Sequence, residues 1–548
     1  MALSVAIQVL LLAVVLAAGL WLLSSRKHAR LPPGPQGRPV LGHYGKIPTA
    51  SPWHFFGELG HKYGEISSIR ILGHTLIVLN AFDPADAIFN KRSNRYSHKP
   101  RRRMGELSGL VATLPFMDPG PTFTHARKMF RQELSPRSLT AYHGEVERAS
   151  RQLAKAFAAN ANIPGFEKHI DQTLGRLFMR VSSGYVVKGD DDAVLRPIQQ
   201  LANFAAGILG GTYSIIDRLP FLCYLPHWAP GSSLLRLADH WRGRLWEIAN
   251  GTAELVREEL VRSVSPSFTG MLTHRTQTSG SPSTSFMGNL YGNPRGGMDL
   301  DEAQFKFIAV TMSAGGMLPL TSSSLGFLAA MARFPAAQKR AQAELDGLLG
   351  GSRLPTLADR PALPYVCALI LELYRWAPVA PLIARKTLED DEIAGLWIPK
   401  GATVVANNWA ISRDPERYPD PQVFRPERFL PLFEDSDDEK SGQAKQDILD
   451  PRSYAFGYGR RWTSAVNAVR NVRICPGLDF AEAILFANIS HILTVFDVVP
   501  TGDAPILTPN GDVALKTVGA AARVASVDCT LRPRSADALA LLADAAES

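Results

Sequence analysis

The strongest constraint on this chain is a single cysteine at the head of a long apolar segment. Arg473-Ile474-Cys475-Pro476-Gly477 runs directly into Leu478 to Phe496, whose apolar spacing predicts a buried helix. Upstream lies Phe456-Gly457-Tyr458-Gly459-Arg460-Arg461. A thiolate that serves as a ligand needs glycines that let backbone come close, and a helix start that offers N–H groups to the sulfur. Cys475 has both. The remaining cysteines, Cys223, Cys367 and Cys529, stand far apart without a CxxC pair, which argues against a disulfide scaffold or a thiolate zinc site.

Most of the rest is helical in period. Apolar residues recur at helical spacing over 126–134, 144–159, 198–209, 234–264, 301–334, 336–349 and 365–376. A hairpin signal around Gly73-His74 lies within 69–79. The expected fold class is therefore mainly α with small β-sheets. With 548 residues, 46% of them hydrophobic, there is ample material for a large core. The Ser/Thr/Gly/Asn-rich stretch 265–300 and the charged stretch 433–447 read as surface connections, because the motifs on either side of them must meet.

Several motifs surround the cysteine. Glu372 and Arg375 form an E-x-x-R pair one helical turn apart; alone, such a pair reads as a surface ion pair worth little. Pro426-Glu427-Arg428-Phe429 follows about fifty residues on. Phe123-Thr124-His125-Ala126-Arg127 and Pro381-Leu382-Ile383-Ala384-Arg385 each end in an arginine suited to a carboxylate.

These motifs, in this order, resemble the cytochrome P450 superfamily over nearly the whole chain. Its heme-binding loop reads F-G-x-G-x-R-x-C-x-G, and FGYGRRICPG results here once the twelve residues Trp462 to Arg473 are left out. That insertion is either a bulged loop or a translated intervening sequence. Text such as YPDPQVFRPERFL is most like fungal, basidiomycete-like microsomal enzymes of secondary metabolism. The resemblance implies the cytochrome P450 fold, heme b as cofactor and Cys475 as the metal ligand, with Phe456 and Gly477 in its loop. It implies Arg127, Arg385 and either Arg461 or Arg473 as partners of the heme propionates, Phe123 standing where the family has Trp and lacking the indole donor. It also implies that Glu372, Arg375 and Arg428 form a buried structural triad.

The segment 301–334 resembles the helix that crosses the heme face in that family. The family's acid and alcohol, which deliver protons, fall at Leu318 and Pro319, within Gly315-Gly316-Met317-Leu318-Pro319-Leu320. Pro319 is expected to kink the helix. The nearest substitute catalytic hydroxyl is Thr321, followed by Ser322 to Ser324; holding carbonyls freed by the kink is the blander role for all of them.

The amino terminus reads as an anchor. Met1 to Leu23 carries no charge, and Arg26, Lys27, His28 and Arg30 follow at once. That run is just long enough to span a membrane once, and the basic cluster keeps the body of the protein cytosolic. Residues 1–30 form the anchor and 31–548 the catalytic domain, with a Pro-rich hinge at 31–39. The net charge of +8 comes without a basic stripe or nucleic-acid motif, so an anionic membrane surface or an acidic partner is expected rather than nucleic acid.

By resemblance, the function is insertion of one oxygen atom from O2 into a lipophilic small molecule, a terpenoid or aromatic secondary metabolite. Electrons come from NADPH through NADPH-cytochrome P450 reductase, and the location is the endoplasmic reticulum membrane. The altered helix leaves open a heme-thiolate isomerase or dehydratase, or an inactive or mis-spliced product. A non-catalytic membrane-tethered binding module is a further alternative.

Overall fold

The computed structural model describes residues 31–159, 166–264, 285–292, 302–433, 445, 447–459, 474–502, 507–508 and 510–543. Helix α1 (Pro52–Tyr63) leads into β1 (Ile66–Ile71) and β2 (His74–Leu79), an antiparallel hairpin. Leu72 and Gly73 join the strands with φ of 47° and 82°, the doubly left-handed turn that matches strand twist. Four more strands follow late in the chain: β3 (Leu382–Lys386), β4 (Asp391–Ile393), β5 (Leu396–Ile398) and β6 (Thr403–Asn407). They give a four-stranded sheet in the order β1-β2-β6-β3, with β2 and β6 parallel.

Between the two halves of that sheet lies the helical bulk: α2 (Pro121–Glu133), α3 (His143–Ala159), α4 (Phe166–Ser183), α5 (Leu195–Gly210), α6 (Ser233–Val264), α7 (Glu302–Gly315), α8 (Met317–Arg333), α9 (Pro335–Leu349) and α10 (Pro364–Trp376). After the cysteine come α11 (Leu478–Val495) and the strands β7 (Phe496–Pro500), β8 (Leu515–Val518), β9 (Ala521–Val524) and β10 (Cys529–Pro533). The helices overlap the expected periodic segments, but Leu195–Gly210 and Pro121–Glu133 start earlier, 301–334 is divided in two, and Phe166–Ser183 is a helix outside the expected segments. Mainly helical with small sheets is the fold observed. One contiguous hydrophobic cluster runs from Trp53 to Leu542.

Helix α11 is apolar on every side because it is wrapped by α3, α8, α9 and α10. Among the described residues it is the one helix long and apolar enough to cross a membrane, and it lies inside the core. The expected anchor over 1–30, like Arg461 and Arg473 in the insertion, lies outside the described residues.

One expectation needs correction. Residues 301–334 form two helices rather than one, α7 ending at Gly315 and α8 starting at Met317, and the interruption lies where Pro319 is expected to break the i to i−4 ladder. A methyl group on Gly316 would stand 2.1 Å from Phe178 Cζ, so the ring of Phe178 occupies the space a side chain would need. Pro319 is the third residue of α8. Its missing N–H leaves the Gly315 carbonyl, the last of α7, without the i to i−4 donor that would carry the helix through, so the break falls one turn before the proline.

Candidate heme-binding site

The loop before α11 is closed by backbone. Cys475 N–H donates to Phe456 O at 2.8 Å, and Gly457 and Gly459 take φ of 91° and 149°, which favour glycine. Gly459 N–H also donates to Asn90 Oδ1, and Asn90 is in turn held by Asp86 at 2.7 Å. From the other side the ring of Tyr374 on α10 meets Phe456 edge-on, centroids 4.9 Å apart. Three separate elements therefore fix the segment that aims the thiol.

Cys475 lies deep within the protein, yet its surface is accessible. A side chain with both properties faces an interior space. Burial pushes its thiol pKa up, while the Gly477 amide and the charge of Arg127 act the other way. Arg127, on α2, donates to Ile474 O and so sits against the cysteine loop. Phe123, one turn earlier on the same helix, is buried.

Arg385 on β3 is also deep but only partly covered. Burial first, and then repulsion from Arg127, lower its pKa to about 10. Among the described residues its hydrogen bond is to Ala384 O at 3.0 Å, with no carboxylate beside it. Two guanidinium groups that repel each other beside an open interior space call for a bound anion. A porphyrin with two propionates and an iron that takes a thiolate fits this donor set.

Along the central part of α7 and α8, Thr311, Ala314, Gly315, Gly316, Leu318 and Pro319 are partly or fully accessible, while Phe307 to Val310, Met312, Ser313, Met317 and Leu320 are buried. Their spacing of three and four places them on one face. That face carries no acid. Its single hydroxyl, Thr311 Oγ1, donates to Phe307 O at 2.8 Å and accepts Leu114 N–H at 3.3 Å. Nothing in the spacing of the sequence points to Leu114 as its partner.

Thr321 lies elsewhere. It is fully buried, and its hydroxyl donates to Asp171 Oδ1 on α4 at 2.5 Å. Ser322 and Ser324 are buried too. Phe116, Met117, Phe204, Ile208, Phe307 and Met312 are core, with Phe204 stacked on Trp241 at 4.7 Å, while Leu318, Leu382 and Ile383 keep accessible surface.

Glu372 and Arg375 share two hydrogen bonds within α10, and Arg428 Nε lies 3.5 Å from Glu372 Oε1. Arg375 also binds the carbonyls of Ser412, Pro421 and Val423, and Arg428 those of Asp420 and Val423. The three side chains thus pin 412–429 onto α10. Burial works against the Arg375 charge, but Glu372 outweighs it and raises the pKa; for Arg428 burial prevails and the pKa falls.

Comparison with known proteins agrees with this geometry. The family described as Cytochrome P450 matches residues 32–522. Cytochrome P450 monooxygenase 105 of Postia placenta is 34% identical over 540 residues, covering 96% of this chain and 93% of that one. Cytochrome P450 monooxygenase COX2 of Coprinopsis cinerea is 33% identical, covering 95% and 92%. A zebra fish cytochrome P450 solved with abiraterone superposes with a TM-score of 0.62 at 20% identity, over 88% of this chain and 100% of that one, a likeness of fold. The chain belongs to the cytochrome P450 family and stands among its fungal monooxygenases.

Proposed function

We propose that this protein inserts one oxygen atom from O2 into a lipophilic small molecule of the terpenoid or aromatic secondary-metabolite kind. The proposed electron source is NADPH through NADPH-cytochrome P450 reductase. The single observation that carries the reading is Cys475, deep in the chain yet with accessible surface, with the Arg127 charge beside it and Arg385 close enough to Arg127 to be repelled by it. Heme bound there supplies the oxygen chemistry through an electron-donating thiolate. Arg127 and Arg385 neutralise and orient its propionates. Phe456 and Gly477 shape the sulfur's surroundings, the Gly477 N–H donating to it. Glu372, Arg375 and Arg428 keep that loop's surroundings rigid. The apolar wall at Leu318, Leu382 and Ile383 favours a lipophilic substrate and excludes water.

The same reading takes 1–30 as a single membrane anchor, with 31–548 as a cytosolic catalytic domain on the endoplasmic reticulum. The run of uncharged residues followed by a basic cluster supports it. The test is expression with and without residues 462–473, followed by the carbon monoxide difference spectrum of the reduced protein. Absence of the heme-thiolate band from both would overturn the assignment of Cys475.

A second reading has an observation of its own. With Leu318 and Pro319 at the usual acid and alcohol positions, the α7–α8 face carries no acid and its one hydroxyl, on Thr311, is already bonded to Phe307 O, which suits a heme-thiolate isomerase or dehydratase that needs no proton delivery. Turnover independent of NADPH would favour it.

A further inference from the structure

Close to the cysteine loop lies a charge cluster that takes no part in the propionate contacts. Glu482 sits on α11, seven residues after Cys475, with 4% of its side chain exposed. Two arginines from separate segments reach it. Arg360, in the 3-10 turn Leu357–Ala362, donates to Glu482 Oε2 at 2.6 Å. Arg452, in the short helix Arg452–Ala455 that runs into Phe456, lies 3.6 Å from Glu482 Oε1 and gives its Nε to Asp450 at 2.8 Å. Glu482 Oε1 has no hydrogen-bond partner among the described residues, so Arg452 meets it as charge against charge.

Tyr374, on α10, ties this cluster to the sulfur. Its ring meets Phe456 edge-on, and Phe456 O accepts the Cys475 N–H. Its hydroxyl is buried and has no hydrogen-bond partner among the described residues. Burial first, and then Glu482, raise the Tyr374 pKa well above the ordinary value; Arg360 and Arg452 oppose this, and Cys475 adds to it. One phenol thus feels Glu482 and Cys475 at once, which places both in one electrostatic neighbourhood. Seven residues of helix rise about 10 Å, and over such a distance inside a protein a charge acts far more strongly than it does in water. Glu482 is also the most deeply buried charge of the cluster, Arg360 being 31% and Arg452 23% exposed, so solvent and salt screen it least.

We propose that Glu482 and Arg360 tune the electron-donating strength of the Cys475 thiolate, Glu482 raising it and Arg360 restraining it. The inference rests on the heme reading above. Both are tuning residues that act through the field they produce at the sulfur, not ligands. A negative charge nearby disfavours the reduced state of a heme-thiolate, which carries the extra electron, and a positive charge favours it. The two members of this ion pair therefore act on the potential with opposite signs, while both hold the same backbone segments together.

The test is redox titration of the full-length, heme-loaded protein, with the carbon monoxide band of the reduced form confirming an intact thiolate. Glu482→Gln is expected to shift the midpoint potential to more positive values and Arg360→Gln to more negative ones, both shifts persisting from low to high salt. Both variants lose a contact and are expected to melt earlier, so a merely structural tie moves stability in one direction and gives no such divergence of potential. Arg353→Gln is the control: Arg353 is 49% exposed and pairs with Asp359, the neighbour of Arg360, and loss of its charge is expected to leave the potential at the wild-type value. Should Glu482→Gln fail to accumulate, Arg360→Gln decides, because Glu482 keeps Arg452 as a partner. An unmoved or reversed potential in either variant, or an equal shift in Arg353→Gln, overturns the proposal while the heme reading stands. A wild type without the thiolate band sinks the heme reading, and the tuning with it.

Discussion

Glu372 grips Arg375 through hydrogen bonds of 2.6 and 2.7 Å, and neither side chain has any exposed surface. Arg425 N–H adds a third donor to the same carboxylate at 2.7 Å. With its carbonyl contacts satisfied, Arg375 can be read as a bolt through three backbone segments. Removing one partner of a buried pair leaves the other charge stranded, which costs about 3–5 kcal/mol. Glu372→Ala is therefore expected to lose most folded protein, seen as a collapse in thermal midpoint and yield. Arg428→Ala, which keeps the closer pair, is expected to lose clearly less. Equal losses would show that the two arginines act as one unit.

Arg385 offers a prediction of opposite sign in apo and loaded protein. A cation whose folded pKa lies below its unfolded value destabilises the fold at neutral pH, and this penalty fades as pH rises through about 10 towards the ordinary arginine range. Arg385→Met in heme-free protein is thus expected to raise the thermal midpoint at pH 7, with the difference from wild type shrinking as pH climbs past 10. In loaded protein the same change is expected to speed heme loss to an acceptor globin. A lower midpoint for heme-free Arg385→Met would mean that the guanidinium already has a counter-anion from the chain.

Thr321 serves structure on the present geometry. Burial raises the Asp171 pKa, while the Thr321 hydroxyl and then Arg523 counter it. A raised carboxyl pKa means that stability is lost as pH rises through the folded value, and the Thr321 donor limits that loss. Thr321→Val is expected to cost about 1–3 kcal/mol, since it leaves a half-buried acceptor without its donor, and the deficit should grow as pH rises above the ordinary carboxylate range. The product formed per NADPH consumed is expected to stay at the wild-type value. A fall in that ratio at unchanged stability would return Thr321 to oxygen chemistry.

What could be read in the sequence divides along physical lines. Cys475, the E-x-x-R pair and PERF announce themselves because each is a short run whose spacing alone brings the groups together. The arginines at 127 and 385 were legible as guanidinium groups, but their mutual repulsion required α2 and β3 to be placed. Thr321 is held by Asp171 and Gly316 is crowded by Phe178, and these two partners, both on α4, leave no trace in the local pattern. The close approach of Gly210 to the Gly519 carbonyl, 2.0 Å from where a methyl would stand, was hidden as well, since a glycine demanded by a distant backbone looks like any other in a chain with 44 of them.

The α7–α8 face gives the sharpest choice between the two functional readings. Leu318 and Pro319 are accessible there and occupy the second and third positions of α8, where Asp is favoured by the helix dipole and Thr is tolerated. The double change Leu318→Asp and Pro319→Thr should therefore fold, with a thermal midpoint close to wild type. If the protein is a monooxygenase that works with an impoverished proton path, product per NADPH oxidised is expected to rise in this variant, because a carboxyl and a hydroxyl then reach the cavity. If NADPH-independent turnover persists and is slowed by the same change, oxygen insertion is the wrong chemistry and the apolar face is an adaptation to rearranging a substrate. Measuring product, NADPH and peroxide together in wild type and variant distinguishes the two outcomes.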